Sequence, residues 1–328
     1  MPSTPSNRTL AVIGAGVSGL TAAAQLQRSG WSVRLFDKGR GPGGRAATRR
    51  SASGGFDHGA PYFTVQTAQG RALVERLHAQ GVVAPWSGRF ASVDAANAFH
   101  ESPAHERWVG RPKMSALGRY LSRDLEVNLS TRIVTLGGKP GAWTLVDENE
   151  HHHGSFHAVL MSCPGPQAAT LLPKPSALHA RCLAMRYAVC WAGLVELTAQ
   201  EPFAWDSLSF EAGTLGEAFR SNSKPERSGA ERWVVHAAPD WSSAHRHDAP
   251  EVVGQALTEA FEEATGQKVH TMTVHRWLYA RALQNEGEVA LIDSERRLGL
   301  CGDGMTGGGV EAAYISGLEL AKQVQAHF

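Results

Sequence analysis

The sequence has few cysteines and no paired cysteine motif. Its four cysteines, Cys163, Cys182, Cys190 and Cys301, lie far apart, and no two of them form a CxxC pair. Disulfide-stabilised secreted domains and zinc ribbons both require closely spaced cysteines. The spacing therefore excludes both classes, and we predict a protein of the cytoplasm.

The sequence also lacks an excess of charge of one sign and a long apolar run. Its 32 basic and 31 acidic residues give a net charge of +1, whereas nucleic acids and anionic membranes usually attract a basic excess. We therefore predict no nucleic-acid partner and no membrane partner. The segment from Leu10 to Ala24 is the nearest approach to a membrane helix or export signal. It is too short for the ~18 residues needed, and three glycines interrupt it at fixed spacing, so we interpret it as part of the fold.

Glycine, by contrast, is abundant. The chain has 35 glycines among 328 residues, about 11% against a typical ~7%. They show no G-X-Y period and are concentrated in a few loops. The length allows one large or two modest domains, because a single core stops growing near ~250–300 residues. With a hydrophobic content of 42%, the composition favours an α/β enzyme.

The first glycine-rich motif follows the first apolar segment. Thr9–Ile13 is typical of a buried parallel strand, and residues 14–19 (GAGVSG) lead into an amphipathic helix that we expect to end near Ser29. A second strand is predicted from Trp31 to Phe36, with Asp37 at its end. This order of elements is typical of a dinucleotide-binding βαβ unit, although a purely structural glycine turn is the alternative.

Each residue of this unit has a predicted task in binding a dinucleotide. Gly14 permits the tight turn, Gly16 lets the backbone approach a pyrophosphate, and Gly19 lets helix and strand pack closely. The helix N-terminus presents free N–H groups and a partial positive charge to the phosphates. Asp37 can accept hydrogen bonds from an adenosine ribose. The predicted cofactor-binding residues here are Gly14, Ala15, Gly16, Ser18, Gly19 and Asp37.

Two segments that follow favour FAD over NAD. Residues 38–50 (KGRGPGGRAATRR) form a glycine-rich basic loop where a simple NAD dehydrogenase would continue into its next helix. Its flexible backbone and guanidinium groups can bind phosphate oxygens. Residues 56–64 (FDHGAPYFT) then combine small residues, which allow close approach to a flat ring, with aromatic residues that can wall a pocket. The predicted cofactor contacts are Lys38, Gly44, Arg45, Gly59, Ala60, Pro61 and Tyr62.

A third glycine-rich segment lies near the C-terminus. A short strand from Leu298 to Cys301 precedes residues 302–309 (GDGMTGGG), and a helix is predicted from Val310 to about Gln325. Asp303 is placed to bind ribityl hydroxyls. The helix start at Gly309 and Val310 would direct N–H donors at the pyrimidine edge of a flavin, where the helix dipole favours negative charge.

Together these motifs resemble the flavoproteins of the amine-oxidase superfamily with two dinucleotide-binding domains. The sequences GAGVSGL, FDKGRGPGGRAAT, FDHGAPYF and GLCGDGMTGGGVEAAYISGLELA carry the resemblance. In length and spacing the match is closest to the short bacterial renalases. The similarity covers the whole chain, with the motifs concentrated in residues 9–64, 129–170 and 298–325.

The resemblance implies an α/β fold with two domains. A Rossmann-like FAD-binding domain of the p-hydroxybenzoate hydroxylase and amine oxidase type is expected from residues 1–66, 105–170 and 282–328. A second α+β domain, the substrate domain, is expected from residues 67–104 and 171–281. Alternating apolar residues in Cys190–Leu197 and Arg232–Ala237 predict an antiparallel sheet in this domain, and a long helix is predicted from Ala249 to Thr265.

The resemblance also implies the cofactor and the reaction. Val134 matches the valine whose backbone groups bind adenine. FAD should be held non-covalently, because residues 306–309 (TGGG) stand where covalent relatives carry a cysteine. The implied substrates are O2 and dinucleotides with a misreduced nicotinamide, 2- or 6-dihydro-NAD(P). The implied products are NAD(P)+ and H2O2. His151–His153 cannot all face one ion from a strand, so we predict no metal site.

Three residues are candidates for chemistry at the ring. Tyr62 follows the turn expected beside the flavin and is a candidate pocket residue. His245, ahead of a predicted helix, is a candidate cation that would speed reoxidation by oxygen. Trp277 is a candidate for stacking on a substrate ring. The alternatives are ordinary packing for Tyr62 and Trp277 and a solvated loop position for His245.

Two alternative functions stay open. Amine oxidation on the same fold is one, although residues 275–280 lack the lysine that many relatives place near flavin N5 and no paired aromatic cage is evident. A non-catalytic FAD-binding or sensor protein is the other. The sequence leaves open the choice between the 2- and 6-dihydro isomers, between NAD and NADP forms, and the oligomeric state.

Overall fold

The computed structural model describes residues 8–52, 54–103, 105–198, 202–283 and 287–328. The predicted domains also include the remaining positions, which lie outside these ranges. The strands in the described part of the chain are β1 (Thr9–Ile13), β2 (Ser32–Phe36), β3 (Arg49–Ser51), β4 (Gly54–Phe56), β5 (Val83–Pro85), β6 (Phe90–Val93), β7 (Phe99–Glu101), β8 (Trp108–Gly110), β9 (Glu126–Asn128), β10 (Ile133–Lys139), β11 (Ala142–Asp147), β12 (His152–Phe156), β13 (Ala158–Met161), β14 (Tyr187–Leu197), β15 (Ser207–Phe210), β16 (Leu215–Arg220), β17 (Arg232–Ala237), β18 (Val269–Ala282), β19 (Leu291–Asp293) and β20 (Leu298–Leu300).

The helices alternate with the strands mainly at the two ends of the chain. Short 3-10 turns occur at Ser221–Ser223 and Asp303–Met305. The α-helices are α1 (Val17–Arg28), α2 (Ala68–Ala79), α3 (Ser115–Ser122), α4 (Gly165–Ala169), α5 (Ala177–Ala184), α6 (Pro239–Ala244), α7 (Pro250–Thr265) and α8 (Val310–His327). Among the described residues, no helix combines the length and the apolar character that crossing a membrane requires.

A six-stranded sheet forms the centre of the first domain, in the order β19-β20-β13-β1-β2-β9. Adjacent strands of this sheet are parallel, except that β19 runs antiparallel to β20. Alternate residues of β1 point to opposite faces. Leu10 and Val12 pack with α1 and α8, whereas Ala11 and Ile13 pack with β11, α4 and α5. Because both faces are covered, the strand is apolar throughout, which is the pattern that the sequence shows.

A seven-stranded sheet forms the second domain, in the order β18-β14-β17-β16-β15-β6-β7. Its pairs are antiparallel except β15 with β6. One face packs against α7 through Val253, Leu257 and Phe261. The opposite face is left for a ligand cleft. The observed architecture confirms the predicted α/β fold with an antiparallel sheet in its second domain.

Three smaller sheets connect these two. The strands β10, β11 and β12 form an antiparallel sheet on the six-stranded one, and β3 pairs with β4 and β5 with β8. The sequence predicts a strand pair element over residues 126–136, and the structure has two strands there, β9 and β10, which lie in different sheets. The chain turns between them because the amides of Ser130 and Thr131 donate to carbonyl oxygens of Gly39 and Asp37.

We predict a domain boundary at residue 67, which would place α2 in a different domain from the elements that it contacts. In the structure Leu73, Val74 and Leu77 of α2 pack in one cluster with Val310 and Tyr314 of α8. The next strand, β5, pairs with β8 rather than with the seven-stranded sheet. We therefore propose that the second domain starts after β5, at about residue 86, and that residues 67–85 belong to the first domain.

Candidate functional site

A cleft of about 2060 Å³ lies between the two large sheets. Its wall includes the glycine-rich segments from both ends of the chain and the free face of the seven-stranded sheet. It therefore brings together most of the residues that we predict to bind the cofactor. Those that line it are Gly14, Gly16, Ser18, Asp37, Lys38, Gly44, Arg45, Gly59, Ala60, Pro61, Tyr62, Val134, Asp303, Gly309 and Val310, together with Trp277.

Two predicted residues, Ala15 and Gly19, lie just behind this wall and support it. A side-chain carbon on Gly19 would lie 2.1 Å from the Gly14 carbonyl oxygen, so only glycine lets α1 start so close to β1. Gly14 adopts φ +111 and lies against the backbone of Ser162. The Ala15 amide donates to Asp37 Oδ2 at 2.6 Å. The carboxylate thereby holds the turn while its remaining lone pairs stay available for a ribose.

The N-termini of two helices open onto the cleft. Gly16 is the N-cap of α1, and Gly309, with φ +99, is the N-cap of α8. Neither has a side-chain capping group, and an added side-chain carbon at either position would meet nothing within 4 Å. The first N–H groups of a helix need acceptors from outside it. The two helix ends therefore fit the phosphates and the electron-rich ring edge of a dinucleotide.

An ion pair joins the first and the last motif. Arg45 Nη2 lies 2.5 Å from Asp303 Oδ1. Arg45 Nη1 also reaches the carbonyl oxygens of Tyr279 and Ala280 at 3.3 and 3.4 Å, so the guanidinium touches β18 of the second domain. The sequence predicts cofactor contacts for both residues separately. The structure adds that each fixes the other's position.

The backbone at Val134 is irregular. The pairing of β10 with β11 shifts register between Ile133 and Thr135, so Val134 lies in a β-bulge. A bulged residue is left out of the regular ladder. The Val134 side chain is 48% exposed and borders the cleft. Its position therefore agrees with the predicted backbone contact to adenine.

The three cysteines in the cleft wall are poor nucleophiles. Burial raises the pKa of Cys163 and of Cys190 to about 12 and that of Cys301 to about 11. Only the thiolate form attacks, so these side chains stay unreactive thiols at neutral pH. All four cysteines are free.

The strand β18 borders the cleft along residues 275–281. Its pairing with β14 shifts register between Trp277 and Arg281. One row of residues runs across four strands of the sheet. His275 of β18 lies opposite Ala192 of β14, and Ala192 lies opposite His236 of β17. His236 in turn lies opposite Glu217 of β16. Residues directly opposite on neighbouring strands point to the same face. This row therefore forms the wall of a chamber at the second domain.

The imidazoles of this wall are uncharged at neutral pH. Burial lowers the pKa of His236 to about 4, and burial together with the neighbouring His275 lowers that of His58 to about 4. The rings of His58, His275 and Trp277 lie 4.5 to 5.0 Å apart. Trp277 Nε1 donates to the His58 carbonyl oxygen at 2.9 Å. Trp277 is thus locked in the wall, and its predicted stacking on a substrate stays a prediction.

Tyr62 also lies in the wall, where charged groups surround it. The Arg107 guanidinium carbon is 4.9 Å from the centroid of its ring. The pKa of Tyr62 is raised by burial and by the negative charge of Glu217, and partly lowered by Arg107 and Arg281. The pKa of Glu217 is itself raised by burial and partly lowered by the same two arginines. Tyr62 therefore remains a neutral phenol at neutral pH.

The structure does not place His245 in the cleft wall. His245 Nδ1 lies 2.7 Å from Asp248 Oδ2, and its ring stacks on Trp241 with centroids 4.1 Å apart. His245 directly follows α6. The first residues of α6 border the cleft, but His245, at the other end of the helix, does not. The geometry thus gives no support to the predicted role of His245 near the ring. Arg281 is a guanidinium that does border the cleft.

A buried charge cluster, formed by Asp57, Lys224 and Arg227, lies behind the loop at residues 59–62. Arg227 Nη2 is 2.6 Å and Lys224 Nζ is 4.0 Å from Asp57 Oδ2. Lys224 Nζ also donates to the Pro61 carbonyl oxygen at 2.8 Å. All three side chains are at most 5% exposed. The cluster therefore anchors the loop expected beside the flavin.

The lysine of this cluster predicts a dependence of stability on pH. Burial and Arg227 lower the pKa of Lys224 from 10.5 to about 7. Between these values the unfolded chain holds more protons than the folded one, so a rise in pH favours folding. We expect the free energy of unfolding of the wild type, relative to Lys224→Met, to increase between pH 7 and 10.5.

Urea unfolding at a series of pH values measures this difference. Lys139→Met, at an exposed lysine on β10, is the control and should show no such increase. A difference between wild type and Lys224→Met that is constant over the whole range would contradict the interpretation.

Several of these residues had no detectable signal in the sequence. The alternation from His275 to Arg281 was visible, but nothing local linked it to Glu217 or His236. Lys224 is remote in sequence from the loop that it holds. Among the described residues no group of three or more potential ligands forms a metal site; His151 and His153 instead contact Asp147.

Comparison with known proteins places these features in context. A family model described as an NAD(P)-binding Rossmann-like domain matches residues 12–77. The chain is 28% identical over 207 residues to the tRNA 5-methylaminomethyl-2-thiouridine biosynthesis bifunctional protein MnmC of Magnetococcus marinus. That alignment covers 51% of this chain but only 31% of the relative, so the chain matches about a third of its length.

Two solved structures match over nearly the whole chain. A candidate protoporphyrinogen oxidase from Exiguobacterium sp. 255-15 has a TM-score of 0.80 at 13% identity and covers 99% of this chain and 100% of its own. A double mutant of putrescine oxidase has a TM-score of 0.74 at 12% identity and covers 97% and 99%. At such identities the likeness concerns the fold. The chain therefore has the mixed α/β fold of these amine-oxidase-like structures, with a Rossmann-like segment and an antiparallel-sheet domain.

Proposed function

We propose that the protein is an FAD-dependent oxidoreductase that oxidises 2- or 6-dihydro-NAD(P) and passes the electrons to oxygen. The observation that carries the proposal is the cleft bounded by three glycine-rich segments and by the free face of the seven-stranded sheet. Its volume of about 2060 Å³ is about twice the upper value of a drug-sized pocket, ~1,000 Å³. The cleft therefore offers space for a dinucleotide cofactor and a second ligand.

The residues of the first domain suit a non-covalent dinucleotide. The bare N-terminus of α1 would bind the pyrophosphate, Asp37 the ribose and Val134 the adenine. Arg45 and Asp303 would hold the middle of the cofactor, and the bare N-terminus of α8 its ring edge. Bound FAD would supply hydride acceptance and two-electron transfer to oxygen.

The chamber residues suit a donor that needs no base. A dihydronicotinamide that loses a hydride becomes an aromatic cation, so no proton has to leave the donor carbon. The balance is dihydro-NAD(P) + O2 + H+ → NAD(P)+ + H2O2. The uncharged imidazole of His236 and the locked Trp277 line the chamber and provide an uncharged surface that would position a ring and exclude water.

Amine oxidation is the second candidate, and Glu217 is the observation that favours it. This carboxylate borders the chamber and would attract an ammonium group. The positive charges of Arg281 and Arg107, which both act on Glu217, would repel the same group. The neighbouring fold of putrescine oxidase makes putrescine a suitable amine to test.

Anaerobic mixing of the purified holoprotein with each donor class distinguishes these functions. We expect 2- or 6-dihydro-NAD(P) to bleach the flavin rapidly, whereas putrescine, protoporphyrinogen and ordinary NAD(P)H should bleach it slowly. Admission of oxygen should then restore the colour and release one H2O2 per donor consumed. Rapid bleaching by putrescine alone would replace the proposal by amine oxidation. Failure of every donor would favour a non-catalytic FAD-binding protein.

A further inference from the structure

A buried cation lies directly behind the loop at residues 59–62. Lys224 is only 3% exposed and follows the 3-10 turn at Ser221–Ser223, in the second domain. Its Nζ atom donates to the Pro61 carbonyl oxygen at 2.8 Å. Residues 59–62 border the cleft, whereas Lys224 lies behind this wall. The second domain therefore places a lysine in direct contact with the loop that is expected beside the flavin.

The cluster of Asp57, Lys224 and Arg227 has an excess of positive charge, because it combines two cations with one carboxylate. Arg227 Nη2 lies 2.6 Å from Asp57 Oδ2, whereas Lys224 Nζ lies 4.0 Å from the same atom. A hydrogen bond between nitrogen and oxygen needs a separation of about 2.7–3.2 Å. Arg227 is therefore the direct partner of Asp57, and the excess charge lies on Lys224.

Two aromatic rings lie beside the ammonium group. Lys224 Nζ is 5.0 Å from the centroid of the Trp86 ring and 5.9 Å from that of the Phe219 ring. Such rings attract a cation but do not neutralise it. They also screen its field far less than water would, because the protein interior has a low effective dielectric constant. The field of Lys224 therefore extends through the loop at residues 59–62 towards the cleft.

The ring of FAD gains negative charge when it takes up electrons, whereas the oxidised ring is uncharged. A fixed cation near the ring therefore stabilises the reduced form relative to the oxidised form. Arg45, another cation of the cleft wall, is already paired with Asp303 at 2.5 Å. Lys224 has no carboxylate at such a distance, so its charge remains available to act on the cofactor.

We propose that Lys224 is a positioning residue whose positive charge, held behind the loop at residues 59–62, makes bound FAD easier to reduce. This inference rests on the proposed function, because it assumes that FAD occupies the cleft. It goes beyond that function by naming the group that sets the electron affinity of the cofactor. It does not depend on which donor supplies the electrons.

The charge of Lys224 changes near neutral pH. Burial and Arg227 lower its pKa to about 7, and Asp57 raises it in part. The other titratable groups beside it are the imidazoles of His236 and His58, whose pKa values are lowered to about 4 by burial. Both rings are therefore uncharged at neutral pH. The excess charge behind the loop is present at about pH 6 and absent at about pH 9.

The equilibrium between bound FAD and a redox dye of known potential measures the effect without any substrate. Wild type, Lys224→Gln and Lys224→Met are compared anaerobically at both pH values. Lys224→Gln keeps an N–H donor for the Pro61 carbonyl oxygen but has no charge, whereas Lys224→Met has neither. At the lower pH we expect both variants to decrease the equilibrium constant for reduction at least about tenfold, or ~30 mV for a two-electron couple. At the higher pH the three proteins should differ little.

The dissociation constant for oxidised FAD separates the charge of Lys224 from its anchoring of the loop. Because the oxidised ring is uncharged, Lys224→Gln should bind FAD nearly as tightly as the wild type does. Titration of the cofactor-free protein, followed by flavin fluorescence, measures this. Lys139→Met, at an exposed position on β10, is the control and should retain the wild-type values in both measurements.

Equal equilibrium constants for wild type and Lys224→Gln at the lower pH would overturn the inference. A decrease of the same size at both pH values would also overturn it, because that result indicates a displaced loop rather than a lost charge. Lys224→Met provides the same comparison if Lys224→Gln does not fold, as judged by its melting temperature. A wild type that retains no FAD would refute the proposed function and this inference together. If the dye titration gives the expected result but no dihydronicotinamide reduces the flavin, only the proposed substrate is wrong.

Discussion

Gly16→Val is expected to give a folded protein that no longer retains FAD. A side-chain carbon at Gly16 would meet no protein atom within 4 Å, and the residue has an ordinary extended backbone. The helix should therefore form, with a capping cost of about 1 kcal/mol. The added side chain would instead project into the cleft where the pyrophosphate must approach the N-terminus of α1.

The dissociation constant for FAD should rise at least about 100-fold, which corresponds to ~2.8 kcal/mol. Titration of the cofactor-free protein, followed by flavin fluorescence, measures it. Gly41→Val is the matched control, since Gly41 belongs to the same end of the chain and also has open space around it. Wild-type affinity in Gly16→Val would show that no pyrophosphate binds at this helix.

The second large effect is expected at Asp57. Its side chain is 1% exposed, and it is the carboxylate that faces the buried cations of Lys224 and Arg227. Its Oδ1 atom also accepts from Thr48 Oγ1 at 2.6 Å and from the Met114 amide at 3.1 Å. Asp57→Asn leaves the Arg227 cation without a counter-charge and lowers the pKa of Lys224 further, because Asp57 is the group that raises it. Breaking a buried pair in this way typically costs about 3–5 kcal/mol of unfolding free energy.

The double variant Asp57→Asn with Lys224→Met separates this cause from simple loss of packing. Without Asp57 the buried lysine must either lose its proton or stay charged without a partner, so replacing it should restore part of the stability, as measured by urea unfolding at neutral pH. Asp124→Asn, at the exposed pair with Arg123, should leave stability nearly unchanged. A double variant less stable than Asp57→Asn would contradict the electrostatic explanation.

The cofactor half of the site was largely predictable because its signals are local. The strand, glycine turn, helix and acid from Thr9 to Asp37 follow one another directly in the chain. The start of α8 likewise follows its own glycines. In such motifs the backbone conformation and the ligand contacts come from neighbouring residues, so sequence spacing is enough to predict them.

The substrate half was less predictable because its residues come from separate strands. Glu217, His236 and His275 share a face only because β16, β17, β14 and β18 pair in one register. His245 shows the converse. Its local pattern made it a candidate, but the direction of α6 and the contact with Asp248 take it away from the cleft.

The sequence by itself determined that a strand, a glycine-rich turn and a helix follow one another near both ends of the chain, because the steric demands of glycine and the periodicity of buried strands are properties of short segments. Only the tertiary structure decided which charged groups meet. The pairing of Asp57 with Lys224, and that of Arg45 with Asp303, joins segments that are remote in the sequence. Such long-range contacts arise from the burial of whole faces, which no single segment specifies.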